Sequence, residues 1–172
     1  RLRHGKHRRQ SHQRHLCKES AVSHVLDCLY EVFVPISNNI LVLAAKCGLL
    51  LNKVVRNGFK YEVVTEIGYA EFGSNLAVAI MPGELAPEIA FGGTDTAAES
   101  WLGQDWNFSP FVDASPSRKL LVFGITNDQI GYILNGNSWH SYLTENEEIV
   151  STGPRAGETI ASAYLTLVTK VR

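Results

Sequence analysis

Residues 76–84 read LAVAIMPGE, a short continuous apolar run that stops at a Pro-Gly pair and is followed by the carboxylate of Glu84. A run of this length is typical of a strand that is covered on both faces of a sheet. Residues 120–125 repeat the pattern before the polar stretch 126–128. We therefore expect two neighbouring buried strands of one sheet, each ending in a polar loop.

The segments around these strands predict further elements. Residues 61–69 alternate with a period of two, which indicates a half-buried strand, and an Asn-Gly turn precedes it. Apolar side chains recur at helical spacing after Ser20, in the run that Pro35 closes, and again over 40–51. The clearest helical period covers 160–171, and we expect that helix, from about Arg155, to pack on the strands. The fold class predicted is α/β (α+β), a mixed sheet with packed helices.

Length and charge divide the chain into two parts. The 172 residues are 45% hydrophobic, which suits one core and one globular unit. The first twenty residues carry seven Lys or Arg and one Glu, a formal +6, so the remainder holds −7 of the total −1. We expect residues 1–19 to form a basic, disordered leader with few contacts and residues 20–172 to fold. Because the folded part is acidic, nucleic-acid binding is not expected.

The three cysteines are an odd number without C-x-x-C spacing, so the sequence suggests neither a disulfide framework nor a cysteine zinc cluster. Buried or inert thiols are the expectation. No apolar run approaches the roughly eighteen residues that span a bilayer. The sequence leaves the compartment open, and secretion and membrane association are both compatible with it.

Chemistry is expected where the two buried strands end, because open α/β sheets place their sites there. Glu84 fits three roles: a zinc ligand, a general base, or a charge near the start of a short helix over 85–91, and the pattern alone favours the last. Glu88, one turn later, fits a solvated helix position.

The second strand leads into GITNDQIGY at 124–132, in which Asn127 and Asp128 are typical turn residues and Tyr132 is typical of a core aromatic. His140 follows a tryptophan and fits a structural or surface position, or proton transfer or metal ligation. The sequence contains no nucleophile elbow, P-loop, dinucleotide fingerprint or zincin motif.

The blocks PGE at 82–84 and GITNDQIGY at 124–132 together resemble the neutral/alkaline ceramidase family, in which a P-G-E turn precedes a strand and a G-[LI]-x-N-x-x-x-x-Y stretch. The continuation EEIVSTGP at 147–154, leading into a final helix, resembles the same family. The strings VVTEIGY, PGELAPEI, TNDQIGYI and LTENEEIV look like a bacterial ceramidase-like branch. The resemblance covers roughly Asn38 to the C-terminus.

This resemblance implies the C-terminal part of the catalytic domain of a zinc amidohydrolase that hydrolyses ceramide to sphingosine and fatty acid. It makes Glu84 and Tyr132 zinc ligands. Asn127, Asp128 and His140 are candidates for residues that contact these ligands rather than the metal itself. The implied partner is a ceramide-like lipid amide, with transient membrane-surface contact. The family's two histidine ligands and its serine segment have no counterpart here, so we expect the isolated chain to be inactive. The alternative is an inactive ceramidase-derived binding or structural module.

Two ligands of one zinc, each at about 2 Å, have to lie close together. The resemblance therefore predicts that the Glu84 carboxylate and the Tyr132 hydroxyl meet at one edge of the sheet.

Overall fold

The computed structural model describes residues 15–20, 25–50, 53–93, 96–115, 118–141 and 147–171. They form eight strands, three α-helices and three short 3-10 turns. The strands are β1 (His15–Ser20), β2 (Val25–Ile36), β3 (Val54–Asn57), β4 (Lys60–Phe72), β5 (Leu76–Ile80), β6 (Glu84–Leu85), β7 (Lys119–Phe123) and β8 (Tyr132–Ile133). The helices are α1 (Asn39–Lys46), α2 (Pro87–Phe91) and α3 (Ala156–Val171), and the 3-10 turns are Phe111–Ala114, Gly136–Ser138 and Glu147–Val150. No helix of this described part is long and apolar enough to cross a membrane.

The main sheet is mixed. Its strand order is β1-β2-β4-β5-β7, with β3 also paired to β4. All neighbours are antiparallel except β5 and β7, which run parallel, and β6 and β8 form a separate two-stranded parallel sheet. The α+β class and the mixed sheet predicted from the sequence are therefore confirmed.

Strands β5 and β7 are direct neighbours, with Leu76 opposite Lys119 and Ile80 opposite Phe123, as the two apolar runs predict. The prediction that both are covered on both faces is wrong for β7. Leu121 and Phe123 are 46% and 52% exposed. The reason is that β7 lies last in the strand order and these two side chains point away from the face that holds Leu120 in the core.

The helix expected after Ser20 is a second correction, because β2 occupies this region as a strand of 12 residues. Alternate side chains from Cys28 to Ile36 are buried, and the whole strand pairs with β4. Apolar residues also stand at helical spacing there, but only the period of two buries a continuous face. Pro35 lies beyond the last pairing that the described residues of β1 make, at Tyr30, and proline is tolerated where a strand has no neighbour to receive its N–H.

The cysteines and the leader give two further corrections. Cys17 lies directly opposite Cys28 in the register of β1 and β2, and the two form a disulfide, whereas Cys47 is a free, exposed thiol. Strand β1 also takes in the last five residues of the predicted leader, since its backbone pairs with β2. The rest of the leader, residues 1–14, lies outside the described residues.

The core lies between the sheet and α3, which confirms the predicted final helix and its packing. Tyr164 of α3 is fully buried, stacks on Phe111 at a ring-centroid distance of 4.0 Å, and meets Tyr69 of β4 edge-on at 6.0 Å. The Tyr69 hydroxyl also lies 2.8 Å from the Ser115 hydroxyl. Three aromatic rings thus join the helix, the central strand and the long 92–115 connection.

Helix α1 is shorter than the helix that the pattern over 40–51 predicts. Its N-cap, Asn38, is fully buried and accepts bonds from the N–H groups of Ile40 and Leu41. The same side-chain amide donates to the carbonyls of Ile149, at 2.9 Å, and Ser151, at 3.1 Å. One side chain therefore begins α1 and ties it to the turn that precedes α3.

Tyr164→Ala tests the aromatic contact. We expect a loss of ~3–5 kcal/mol in the free energy of unfolding, because a large buried ring is replaced by a cavity. Urea denaturation followed by circular dichroism measures it. The control Ser162→Ala, at an exposed position of α3, should change stability by about 0.5 kcal/mol or less. Equal effects of the two substitutions would show that α3 does not depend on this contact.

Candidate functional site

The two predicted site residues come together through the pairing of β6 with β8. In this parallel register Glu84 is the direct partner of Tyr132. The Glu84 carboxylate is also close enough to the Tyr132 hydroxyl to raise its pKa. Glu84 and Tyr132 therefore lie side by side, but in this separate two-stranded sheet rather than at an edge of the main sheet as predicted. Their role as zinc ligands remains a prediction.

Backbone hydrogen bonds hold the two loops that carry these residues against each other. The Met81 N–H donates to the Phe123 carbonyl at 2.8 Å, and the Ile130 N–H donates to the Pro82 carbonyl at 2.9 Å. The Glu84 N–H then donates to the Gly131 carbonyl at 3.2 Å. Hydrogen bonds to the other loop thus hold the backbone on both sides of the Pro-Gly turn. They also fix the backbone positions from which the Glu84 and Tyr132 side chains project.

Three glycines allow this close approach. A Cβ atom added at Gly83 would collide with the Gly131 carbonyl oxygen, and one at Gly124 would lie 2.9 Å from the Gly83 oxygen. Gly131 itself has φ +87°, and a Cβ there would collide with the Val150 carbonyl. A side chain at Gly83 or Gly124 would separate the two loops, and one at Gly131 would displace the turn that holds Val150. The glycines are therefore required to bring Glu84 beside Tyr132.

The electrostatics of the Glu84–Tyr132 pair favour a neutral tyrosine. The hydrogen bond to Glu84 raises the pKa of the Tyr132 hydroxyl above its ordinary value, the charge of Glu84 raises it further, and burial and the more distant Glu147 add to the effect. The cause is that a phenolate would stand beside a carboxylate, whereas the neutral phenol donates to it. Without a cation, the proton therefore remains on Tyr132.

A carboxylate and a phenol oxygen on adjacent strands are chemically suited to zinc, and a cation between them would offset the repulsion that raises the Tyr132 pKa. They supply two donors, whereas a catalytic zinc usually takes three from the protein. Across the described residues, no group of three or more His, Cys, Asp or Glu side chains is arranged to hold a metal ion. The pair therefore fits part of a zinc site in donor type and in placement.

The other predicted site residues lie elsewhere along the two loops. Asn127 is exposed in the bend after β7, and Asp128 accepts a bond from the next residue's N–H at 2.8 Å, which is the turn role that its sequence pattern indicates. The ring of His140 stacks on Trp101 with centroids 4.2 Å apart. His140 Nδ1 lies 3.3 Å from Glu148 Oε1 and 3.1 Å from the Ser138 carbonyl oxygen.

His140 lines a cavity of about 290 Å³, which lies next to the ends of β6 and β8. Ala86 follows β6 and Leu134 follows β8, so the two loops of the Glu84–Tyr132 pair also supply walls of this cavity. We call it the acidic pocket, and its lining is Ala86, Glu88, Leu134, Asn135, Ser138, His140, Glu147 and Glu148.

Sequence reasoning missed the acidic pocket. Glu88 fitted a solvated helix position but is half-buried, and Glu148 is only 4% exposed. The burial of Glu148 follows from its packing beside His140, whose backbone N–H donates to Glu148 Oε1 at 3.3 Å. Nothing in a run of charged residues marks one of them as buried, so no local signal was available.

Comparison with known proteins does not assign this chain to a family. No family model, no curated protein and no solved structure matches it. The likeness to ceramidases therefore rests on the sequence blocks quoted above, and what it implies about activity is a proposal.

Gly131→Ala tests the close approach of the loop after β7 to the turn before α3, which holds Val150. We expect it to destabilise the fold by more than Gly73→Ala, because both glycines have positive φ but only Gly131 would bring its new Cβ against another backbone. The control isolates the backbone strain of an alanine at positive φ, about 1–2 kcal/mol. Thermal unfolding of both variants measures the difference. Equal losses would show that this loop and the Val150 turn can separate without cost.

Glu84→Gln tests the electrostatic pairing. In chelator-treated protein, the Tyr132 pKa should lie above about 10 in the parent and fall towards that ordinary value in the variant. Since the folded-state pKa is the raised one, the pair's contribution to stability is complete below the unfolded pKa and is lost as the pH rises through the folded pKa. Phenolate absorbance measures the titration, with Tyr132→Phe identifying the signal. Glu147→Gln should lower the Tyr132 pKa less, and an unchanged titration in Glu84→Gln would contradict the pairing.

Proposed function

We propose that this chain is the C-terminal part of the catalytic domain of a zinc-dependent, ceramidase-like amidohydrolase, which hydrolyses the N-acyl amide of ceramide to sphingosine and fatty acid. The observation that carries the proposal is the register of β6 and β8, which pairs Glu84 directly with Tyr132. These are the two positions that the family resemblance makes zinc ligands. They lie apart in sequence and come from different loops, so their pairing is not a trivial result of chain proximity.

Glu84 and Tyr132 are the residues of this chain that would hold the zinc. When bound, zinc supplies Lewis-acid chemistry, which polarises an amide carbonyl and lowers the pKa of water. The Glu84 carboxylate is directed by β6, so its orientation requires no rearrangement of the loop. Tyr132 would hold the zinc through its phenol oxygen, and Glu84 would hold it through a carboxylate oxygen.

The reaction adds the elements of water across the amide bond. The carbonyl carbon gains the hydroxyl oxygen, the C–N bond breaks, and the leaving nitrogen takes a proton. Within this chain, the glycine-mediated contact of the two loops holds both zinc-binding side chains in place. The remaining ligands, two histidines in the family, would come from protein outside this chain. The chain alone should therefore bind zinc weakly and turn over no ceramide.

The substrate class in this proposal is a ceramide-like lipid amide. Such a substrate resides in a membrane, so transient contact with a lipid surface belongs to the same proposal.

A second candidate is an inactive ceramidase-derived binding or structural module. Like the first proposal, it is compatible with a described part that contains no set of three or more His, Cys, Asp or Glu side chains placed to hold a metal ion. Such a module would retain the loops and the strand pairing without completing the centre. It would bind a lipid amide, or support another domain, without cleaving an amide bond.

The deciding experiment compares this chain with the product of its reading frame extended upstream to a histidine-bearing segment. We expect the extended protein to hold about one zinc per chain and to hydrolyse a fluorescent ceramide analogue. Glu84→Gln should abolish turnover and zinc retention while leaving the circular dichroism spectrum unchanged. Metal content and product formation are the two measurements.

The matched control is Glu66→Gln, which changes an exposed carboxylate on β4 and should leave both properties intact. Retained turnover in Glu84→Gln would remove Glu84 from the mechanism. An extended protein that binds the analogue without cleaving it would favour the inactive module.

A further inference from the structure

One end of the main sheet exposes large apolar side chains to solvent. Strand β2 ends at Ile36, which pairs with Tyr61 near the start of β4, and Tyr61 also pairs with Arg56 of β3. Helix α1 begins three residues after the end of β2, and the turn between β3 and β4 lies next to the Arg56–Tyr61 pair. The helix and the turn therefore lie at the same end of the sheet.

Helix α1 turns apolar side chains towards solvent as well as towards the core. Leu41 packs against the core, and Ala45 is buried. Ile40 and Leu43, nearly one turn apart, are 61% and 62% exposed, and Leu49, just beyond the helix, is 74% exposed. A surface helix normally places polar side chains on its solvent side. The outer side of α1 is therefore suited to an apolar environment.

The turn between β3 and β4 presents a second apolar group at this end. Gly58 and Phe59 alone connect the paired residues Asn57 and Lys60, and Gly58 has the positive φ of +62° that such a tight turn uses. Phe59 is 96% exposed. Arg56 Nε donates to the Gly58 carbonyl at 2.8 Å, which keeps the guanidinium beside the turn. The hairpin thus projects an aromatic ring that does not pack on its own fold.

The same segment is the basic part of an otherwise acidic fold. Residues 37–61 contain four Lys or Arg and no Asp or Glu. The formal −7 of residues 21–172 therefore divides into +4 in this segment and −11 elsewhere. Lys53 lies 3.7 Å from the Glu31 carboxylate, which offsets its charge. The exposed cations that remain beside the apolar groups are Lys46, Arg56 and Lys60.

We propose that this end of the sheet binds the surface of an anionic lipid bilayer. We call it the cationic end, and its residues are Ile40, Leu43, Lys46, Leu49, Arg56, Phe59 and Lys60. The apolar side chains enter the boundary between headgroups and acyl chains, and the cations lie among the anionic headgroups. Long Lys and Arg side chains can do both, because their stems pack on apolar surface while their charges stay in water. The acidic remainder of the fold is repelled by the same surface, which orients α1 and the turn towards it.

Charge favours a bilayer over a second copy of this chain. In a two-fold dimer the cationic end would meet itself, which would bring the three cations of one copy towards the same three of the other. Like charges opposed across an interface disfavour association. An anionic bilayer instead supplies negative charge and an apolar layer at the same place.

This inference deepens the proposed function, on which its relevance to a lipid substrate rests, by assigning the contact with a lipid surface to named residues. Binding itself needs neither zinc nor hydrolysis at the Glu84–Tyr132 pair.

Vesicle sedimentation tests the proposal on the chelator-treated full chain. We expect vesicles of phosphatidylcholine and phosphatidylserine to bind about a hundredfold more tightly than vesicles of phosphatidylcholine alone, because each of three cations gains free energy at an anionic surface. The difference should shrink at high salt, which screens these charges.

Variants separate the cationic end from the basic leader, which stays unchanged in all of them. Lys46→Gln combined with Lys60→Gln should weaken binding to the anionic vesicles by about tenfold or more. Phe59→Ser should weaken it by about tenfold, because an apolar ring no longer leaves water. The matched controls are Lys119→Gln and Phe72→Ser, which lie at the opposite end of the sheet, where β7 begins and β4 ends. They should leave the affinity unchanged.

Tryptophan fluorescence locates the contact. Phe59→Trp should add an emission band that shifts to the blue when anionic vesicles are added, because the indole passes from water into the bilayer interface. Phe72→Trp is the control and should add a band that does not shift.

Several outcomes would overturn the proposal. Equal affinity for the two kinds of vesicle would remove the charge complementarity. Unchanged binding in both the double lysine variant and Phe59→Ser would assign the contact to the basic leader. A dimer that Phe59→Ser dissociates would identify an interface between copies instead. Because these vesicles contain no ceramide and the protein holds no metal, absence of binding would leave the hydrolase proposal standing, and absence of hydrolysis would leave the vesicle result standing.

Discussion

The close approach of two backbone loops, possible only because neither carries a side chain at the contact, is the constraint on which the site depends. Gly83 faces the carbonyl of Gly131, and Gly131 in turn faces the carbonyl of Val150. These two contacts connect the end of β5, the loop after β7 and the turn before α3. The pairing of β6 with β8 is possible because of it, and so is the placement of the acidic pocket beside that pairing.

Asn38 fixes the same region from the opposite side. Its amide binds carbonyls on both sides of Val150, the residue against which Gly131 packs. The 3-10 turn Glu147–Val150 is therefore held between the start of α1 and the glycine contact. Because this turn carries two carboxylates of the acidic pocket, the pocket wall depends on a side chain more than 100 residues earlier in the chain.

The parts of the fold that the sequence predicted are those whose signal is local. The apolar runs that became β5 and β7 stop at turn residues within a few positions, and α3 carries an unbroken helical period. The meeting of Glu84 and Tyr132 followed from the family resemblance, since each residue alone fitted a commoner structural role. In these cases a short window contained the necessary information.

The errors arose where partners distant in sequence decide the outcome. Residues of β2 fit both a helical and an alternating pattern, and pairing with β4 selected the second. The disulfide depends on a register that places Cys17 opposite Cys28, which no spacing rule expresses. Likewise, Glu148 is buried only in the folded structure, although its sequence context is a run of charged residues.

The bend after β7 places Ile125 at φ +52°, a left-handed backbone that β-branched residues rarely adopt. This costs about 1–2 kcal/mol, and it persists because the Ile125 and Thr126 N–H groups bond to the carbonyls of Gly83 and Met81. The loop after β7 is therefore strained, and its hydrogen bonds to the Pro-Gly loop offset that strain. If those bonds break, the strain favours relaxation of the bend to an ordinary backbone, and re-forming the Glu84–Tyr132 pair requires the strain to be restored. Release of this strain therefore favours local opening of the loop that leads to Tyr132.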